Sequence, residues 1–335
     1  MQLLRKLLFP VSLLYALVVY TRNWFFDVGI FKSISYKTPI ICIGNLSTGG
    51  TGKTPMIEAL LGLFTQTYKI AVLSRGYGRK SKGFLLATKK STVEELGDEP
   101  YQIYSKFPEI TMVVDADRQN GIAAIESKSA SDFILLDDGF QHRKVTPGFS
   151  ILLTTYDKLY VDDWYLPTGN LRDSKKEAKR ASIIIVTKCP NNLSKGEQHK
   201  IKKRLQVYPN QEVLFTYFGY NSILKGNSNK DSLEVLKNKK ITLVTGIANP
   251  KPLAKYLSKQ AIQFEHLKYT DHHFFTDSEI KFLQSKGCII TTEKDYVRLK
   301  DKVKNLRYIE VSHRFLNKGE GQLTKQIESY LSRRR

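Results

Sequence analysis

One stretch of the sequence has the residue types and order of a phosphate-binding loop: Gly44-Asn45-Leu46-Ser47-Thr48-Gly49-Gly50-Thr51-Gly52-Lys53-Thr54. It follows the apolar run Ile40-Ile41-Cys42-Ile43 and precedes a helical-looking segment, Pro55-Met56-Ile57-Glu58-Ala59-Leu60-Leu61. Glycines between a strand and a helix let backbone N–H groups turn inward around phosphate oxygens, and the helix N-terminus adds a favourable dipole. The backbone from Ser47 through Thr48, Gly49, Gly50 and Thr51 to Gly52 is the cradle. Lys53 reaches the β- and γ-phosphates, and the Thr54 hydroxyl ligates Mg²⁺. The pattern G-x-x-x-x-G-K-[ST] has Gly where this chain has Ser47, and Gly49 and Gly50 supply the flexibility instead. A nucleoside triphosphate site is predicted.

Carboxylates and cations elsewhere could use such a site. Asp137-Asp138-Gly139-Phe140-Gln141-His142 follows the apolar run Phe133-Ile134-Leu135-Leu136, the Walker-B arrangement that holds Mg²⁺ directly or through water. Gly97-Asp98-Glu99-Pro100 places two carboxylates before a proline that can start a helix. Transfer to an acceptor, unlike hydrolysis in a switch, needs a group that orients the acceptor hydroxyl. Asp98 is a candidate, and His272 in Asp271-His272-His273 is another, or a partner that tunes the carboxylate. Ser74-Arg75-Gly76-Tyr77-Gly78-Arg79 suits a loop approaching phosphate groups, and Tyr165–Asp173 reads as a turn presenting Arg172. Lys175, Lys176, Lys179 and Arg180 read as a solvated basic face.

These residues sit where strands end. Lys69–Leu73, Ile110–Val114, Phe133–Leu136 and Ser150–Leu153 read as buried parallel strands alternating with helices, and the alternation resumes from Ile183 to Ile309. The expected fold is α/β: a P-loop-type doubly wound parallel sheet with a second α/β domain and an N-terminal membrane-associated helix, with functional groups beyond the strand carboxyl ends. Boundaries are expected at 1–30, 31–155 and 156–335, the last set between 155 and 180, with a return of the C-terminal segment to the first domain as the alternative. Residues 222–240, rich in Asn, Lys and Ser, read as a surface excursion.

Composition narrows the partners. Net charge of +21 favours a polyanion: nucleic acid, an anionic membrane or a phosphorylated substrate. No aromatic–basic RNP run, zinc-ligand spacing or basic-region helix supports nucleic acid. Cys42, Cys189 and Cys288 are far apart and lie in or beside apolar runs, as buried thiols in a reducing compartment do. Near the N-terminus, Leu7 to Tyr20 is almost continuously apolar but short for spanning a bilayer. Arg5, Ser12, Ala16 and Asn23 fall on one helical face and the rest is apolar, with Trp24, Phe25 and Phe26 at the end. That pattern suits a helix partly embedded in the cytoplasmic face of a membrane.

The motifs Gly44–Thr54, Ser74–Arg79, Gly97–Pro100, Asp137–His142, Leu166–Arg172, Asp271-His272 and Thr292–Asp295 occur in the order seen in tetraacyldisaccharide 4′-kinases, which the chain resembles over nearly its whole length. It departs at Thr168, Asn170 and Ala248. The resemblance implies transfer of the ATP γ-phosphate to the 4′-hydroxyl of a tetraacyldisaccharide 1-phosphate in lipid A synthesis, by two α/β domains closing over ATP. By that resemblance Lys53 and Arg172 serve catalysis, Asp98 is the base with His272 as its partner, and Thr54, Glu99 and Asp138 serve Mg²⁺. Asn45, Arg75 and Arg79 then meet the anionic glycolipid at the inner-membrane surface, with no obligate protein partner. The rival is a P-loop ATPase switch of the partitioning or metallochaperone type.

Overall fold

The computed structural model describes residues 2–227, 231–237 and 239–334. Helix α1 (Gln2–Leu7) and helix α2 (Phe9–Asp27) break at Leu8, where Pro10 in the first turn of α2 sets a new start. Then come β1 (Ile40–Asn45), α3 (Lys53–Phe64), β2 (Ile70–Ser74), β3 (Leu85–Leu86), α4 (Val93–Leu96), α5 (Asp98–Lys106), β4 (Thr111–Val114), α6 (Arg118–Lys128), β5 (Phe133–Asp137), β6 (Phe149–Thr155) and β7 (Ile183–Thr187). Next are α7 (Lys195–Leu205), β8 (Glu212–Tyr220), β9 (Ile223–Gly226), β10 (Asp231–Ser232), β11 (Ile241–Thr245), α8 (Lys251–Lys259), β12 (Phe264–Lys268), α9 (Asp277–Gln284), β13 (Cys288–Thr292), α10 (Glu293–Leu299), β14 (Leu306–Ile309), β15 (Val311–Phe315) and α11 (Gly319–Ser332).

The first lobe is a nine-stranded sheet ordered β15-β8-β7-β6-β1-β5-β2-β4-β3. Its strands are parallel except β3 and β15 at the edges. Both faces are covered, so β1 is apolar from Ile40 to Ile43: Ile41 and Ile43 pack on one side, Ile40 and Cys42 on the other. The expected division after residue 155 falls between β6 and β7, which pair in parallel within this one sheet. Length and alternation place strands but not their order across a sheet.

The second lobe is a six-stranded sheet ordered β10-β9-β14-β13-β11-β12, built from residues 223–309. Residues 222–240, expected as a surface excursion, include β9 and β10 and bury Leu224, Leu233 and Leu236; residues 228–230 and 238 lie outside the described ones. The chain crosses between lobes beside itself, where Asn221 N–H donates to the Glu310 carbonyl at 3.0 Å.

A helix seam also joins the lobes. Helix α5 of the first packs on α10 of the second, and at one end the Lys106 ammonium lies 2.7 Å from Glu58, 3.4 Å from Glu293 and 3.0 Å from Glu310. Lys225 adds a second cation, 2.8 Å from Glu310. Three largely buried carboxylates gathered by two half-buried lysines are tolerable only as a paired network.

Helix α2 lies on the first lobe by its polar stripe. Ser12 and Asn23 are buried, and Asn23 Nδ2 donates to Asp173 at 2.8 Å. Arg5 donates to the Pro167 carbonyl and Tyr15 to the Arg172 carbonyl. The apolar face looks outward, with Leu14, Leu17 and Val18 63–67% exposed. Among the described residues no helix is long and apolar enough to cross a membrane.

Candidate active site

The glycine-rich loop joins β1 to α3, as its sequence predicts. Gly52 has φ +93°, and a Cβ there would lie 2.9 Å from the His313 ring, so glycine is required on both counts. Thr48 N–H donates to the Asn170 carbonyl at 2.7 Å, and Thr187 Oγ1 donates to the Thr51 carbonyl at 2.8 Å. His313 on β15 braces the loop end: its Nε2 is 2.9 Å from the Gly52 carbonyl and its Nδ1 2.9 Å from Thr216 Oγ1. A carbonyl only accepts, so Nε2 carries the proton and Nδ1 accepts from Thr216. Burial pushes the His313 imidazole down to about 4 and keeps it neutral.

Lys53, the first residue of α3, sits 3.7 Å from Asp138, and Arg172 grips the same carboxylate with both terminal nitrogens, one at 2.9 Å. Burial alone would raise the Asp138 carboxyl, but Arg172 and Lys53 outweigh it and hold it at about 2. Asp138 has φ +48°, the turn that swings it out beyond the end of β5. Asp137, the last residue of that strand, accepts from Ser74 Oγ at 2.7 Å through Oδ2, while its Oδ1 is buried without a partner. Burial, then the charges of Glu99 and Asp138, push its carboxyl up to about 6.

Asp98 opens α5. Gly97 before it has φ +87°, and a Cβ there would meet the Tyr77 carbonyl at 2.8 Å, so the Ser74–Arg79 loop is laid against this helix start. Across the cleft, His272 Nδ1 is 2.9 Å from Asp98 Oδ2 and Arg298 Nε is 2.8 Å from Asp98 Oδ1. Burial would raise the Asp98 carboxyl, but the hydrogen bonds from Arg298 and His272 hold it well below the usual carboxylate range. Lys294 reaches Glu99 at 3.4 Å and His272 Nε2 at 3.0 Å. A phosphate loop, an acidic strand end and an ionised carboxylate paired with histidine therefore meet where the lobes face each other. That arrangement can bind a triphosphate and orient a hydroxyl toward it.

The family model described as tetraacyldisaccharide-1-P 4′-kinase matches residues 4–332. The chain belongs to this family. It is 50% identical over 323 residues to a tetraacyldisaccharide 4′-kinase of Flavobacterium johnsoniae, covering 95% of this chain and 94% of that one. A Bacteroides thetaiotaomicron relative of the same name is 46% identical over 316 residues, 88% and 83% of the two chains. The solved structure of Aquifex aeolicus LpxK, an "apo" form in complex with ATP, superposes with a TM-score of 0.81 at 28% identity, covering 98% of this chain and 99% of that one.

Within this kinase fold two expected substrate contacts point elsewhere. Arg79 donates to Ser81 Oγ and to the Gly83 and Val114 carbonyls, bracing its own loop. Asn45 is buried, donating to the Ser47 carbonyl at 2.6 Å and accepting from Arg172. Arg75 is exposed beside Arg118 and His142, where burial, then the Arg118 charge, push the His142 imidazole down to about 4. Thr54 and Glu99 are partly buried at the loop and at the start of α5. Asp137 and Lys294 lie within the motifs at 137–142 and 292–295 without a role of their own there, and Asp137 is the last residue of β5, just before Asp138. Arg298 lies 200 residues from the carboxylate it meets and leaves no local signal.

A cavity of about 190 Å³ opens on the other side of the loop, between Thr48–Thr51 and the strand ends at Thr155 and Lys188. Asp163 lines it, and Asp163 Oδ2 is buried without a hydrogen-bond partner.

Proposed function

We infer that this kinase transfers the γ-phosphoryl group of ATP to the 4′-hydroxyl of a tetraacyldisaccharide 1-phosphate, the substrate in its family's name. The observation that carries this reading is the Asp98–His272 pair, which bridges the lobes from the start of α5 in the lobe that holds the phosphate loop. Asp98 holds the acceptor O–H. As the new oxygen–phosphorus bond forms, the bond to the β,γ-bridging oxygen breaks and its electron pair leaves with ADP. The hydroxyl proton passes to Asp98. The transition state is largely dissociative, so alignment and charge count for more than base strength. Backbone N–H groups of residues 48–52 and the Lys53 ammonium hold the phosphates, and Arg172, beside Lys53 on Asp138, supplies further positive charge.

The residues fit Mg²⁺ in the way common to phosphate-bound sites. Among the described residues no cluster of three or more His, Cys, Asp and Glu side chains could hold a metal alone. The orphaned Asp137 Oδ1 and the Thr54 hydroxyl are the donors such an ion shares with phosphate oxygens, with Asp138 and Glu99 nearby. An ion held there would supply positive charge to the transferring phosphate.

The outward apolar face of α2, with cations around it, suits the surface of an anionic membrane on its cytoplasmic side. There the lipid substrate is extracted without leaving the interface. Incubation with γ-labelled ATP and tetraacyldisaccharide 1-phosphate in anionic vesicles should label the glycolipid. Hydrolysis with no labelled lipid would sink the reading in favour of an ATPase switch. Leu14→Glu with Leu17→Glu should abolish flotation with those vesicles while nucleotide affinity persists; unchanged flotation would remove α2 from the membrane role.

A further inference from the structure

We propose that Arg298 is a positioning residue for phosphoryl transfer: brought from the second lobe by α10, its guanidinium fork fixes the Asp98 carboxylate and, with it, the line of approach of the acceptor hydroxyl. The proposal rests on the reading of Asp98 given above. The two side chains form a two-pronged pair, Nε to Oδ1 at 2.8 Å and Nη2 to Oδ2, with side-chain exposures of 4% and 9%. Such a fork sets direction as well as attraction, which a surface ion pair does not.

The fork is itself held from behind. Arg298 Nη1 donates to the His273 carbonyl at 3.2 Å and lies 3.8 Å from Asp295 Oδ1. Asp295 is fully buried and accepts from Gly246 N–H at 2.9 Å and Thr292 Oγ1 at 2.7 Å, tying the helix to the second sheet. Four residues earlier, on the same side of α10, Lys294 contacts His272 Nε2. The Asp98 carboxylate only accepts, so the proton is on Nδ1 and is donated to Oδ2 while Nε2 accepts from Lys294; Arg298 Nη2, 3.1 Å from Nδ1, is then a neighbouring donor that shares the same carboxylate. Both Asp98 oxygens are thus engaged by groups of the other lobe, and the carboxylate cannot rotate while the lobes are closed. Lobe closure and acceptor alignment become one event.

The experiment is a double-variant cycle on the full chain. Arg298→Met should lower kcat roughly 10- to 100-fold, the cost of misplacing a reacting group by an ångström. ATP affinity should change by less than about twofold, because uniform binding is untouched. Arg298→Lys, which keeps the charge but loses the fork, should fall between wild type and Arg298→Met. In an Asp98→Asn background Arg298→Met should cause no further loss, since its effect runs through Asp98. Losses that multiply in the double variant, or an Arg298→Met enzyme with wild-type kcat, overturn the proposal. Should Arg298→Met not fold, the same cycle is run with Arg298→Lys. Near-normal turnover of Asp98→Asn alone would instead sink the reading of Asp98, so the two failures are told apart.

Discussion

The two ends of the α5–α10 seam are built from the same ingredients with the signs exchanged. At the cleft end the first lobe supplies the carboxylate, Asp98, and the second the cations, Arg298 and Lys294. At the hinge end the first lobe supplies the cation, Lys106, and the second Glu293 and Glu310. The helices run antiparallel, so sliding or reversing one against the other places like charges together. Exchanged polarity specifies one register of closure. The ends differ in their partners: the cleft end has Asp98 ionised and paired with His272, whereas the hinge end is a closed network of lysines and glutamates. The same pairing chemistry thus serves reaction at one end and registry at the other.

The hinge end is where that contrast breaks most readily. Lys106→Met leaves Glu58, Glu293 and Glu310 without the lysine they share, and should cost about 3 kcal/mol in a urea unfolding midpoint. A loss below about 0.5 kcal/mol, as at an ordinary surface site, would mean that the cluster does not hold the lobes. A smaller effect concerns pH. Burial, then the neighbouring Glu58 charge, push the Glu293 carboxyl up from 4.5 to about 8. A carboxyl raised in the fold favours folding fully below its unfolded value, and that contribution is lost as pH rises through the folded one. The melting temperature should therefore fall between about pH 5 and pH 8, and Glu293→Gln should flatten the fall. An unchanged slope in the variant would assign it to other groups. The smallest effect lies mid-seam, where Lys300 donates to Tyr101 Oη at 2.6 Å. Tyr101→Phe should cost about 0.5–1 kcal/mol of stability and leave kcat unchanged; a drop in kcat would show that the whole seam, not its cleft end, positions Asp98.

What could be read in advance follows the range of the interactions involved. The phosphate loop, the acidic end of β5 and the paired carboxylates at 98–99 are local patterns, and the fold places them together. The α/β class was legible because buried parallel strands are apolar on both faces, as β1, β5 and β7 are. The lobe boundary was legible only in part: a return of the C-terminal segment to the first domain is among the expectations, and β15 makes it, whereas the membership of β7 and β8 rests on strand pairing that local pattern does not encode. Arg79 and Asn45 are expected at the substrate by the resemblance, yet Arg79 bonds Ser81, Gly83 and Val114 and Asn45 bonds Ser47 and Arg172. Arg298, Lys106 and Glu293 become meaningful only once α5 and α10 are side by side. The polar stripe Arg5, Ser12, Asn23 was visible in the sequence; that it faces the protein, against Pro167, Tyr165 and Asp173, is tertiary information.

The brace of His313 on the Gly52 carbonyl has a consequence for how the protein is made. Ribosomal synthesis releases the phosphate loop early, but β15 emerges only after the whole second lobe, and the first sheet stays open at that edge until then. Domains tend to fold as units while the chain is emerging. Here the nucleotide loop gains its brace only with the last strand, so its final form is reached after the lobe that receives the acceptor has been made.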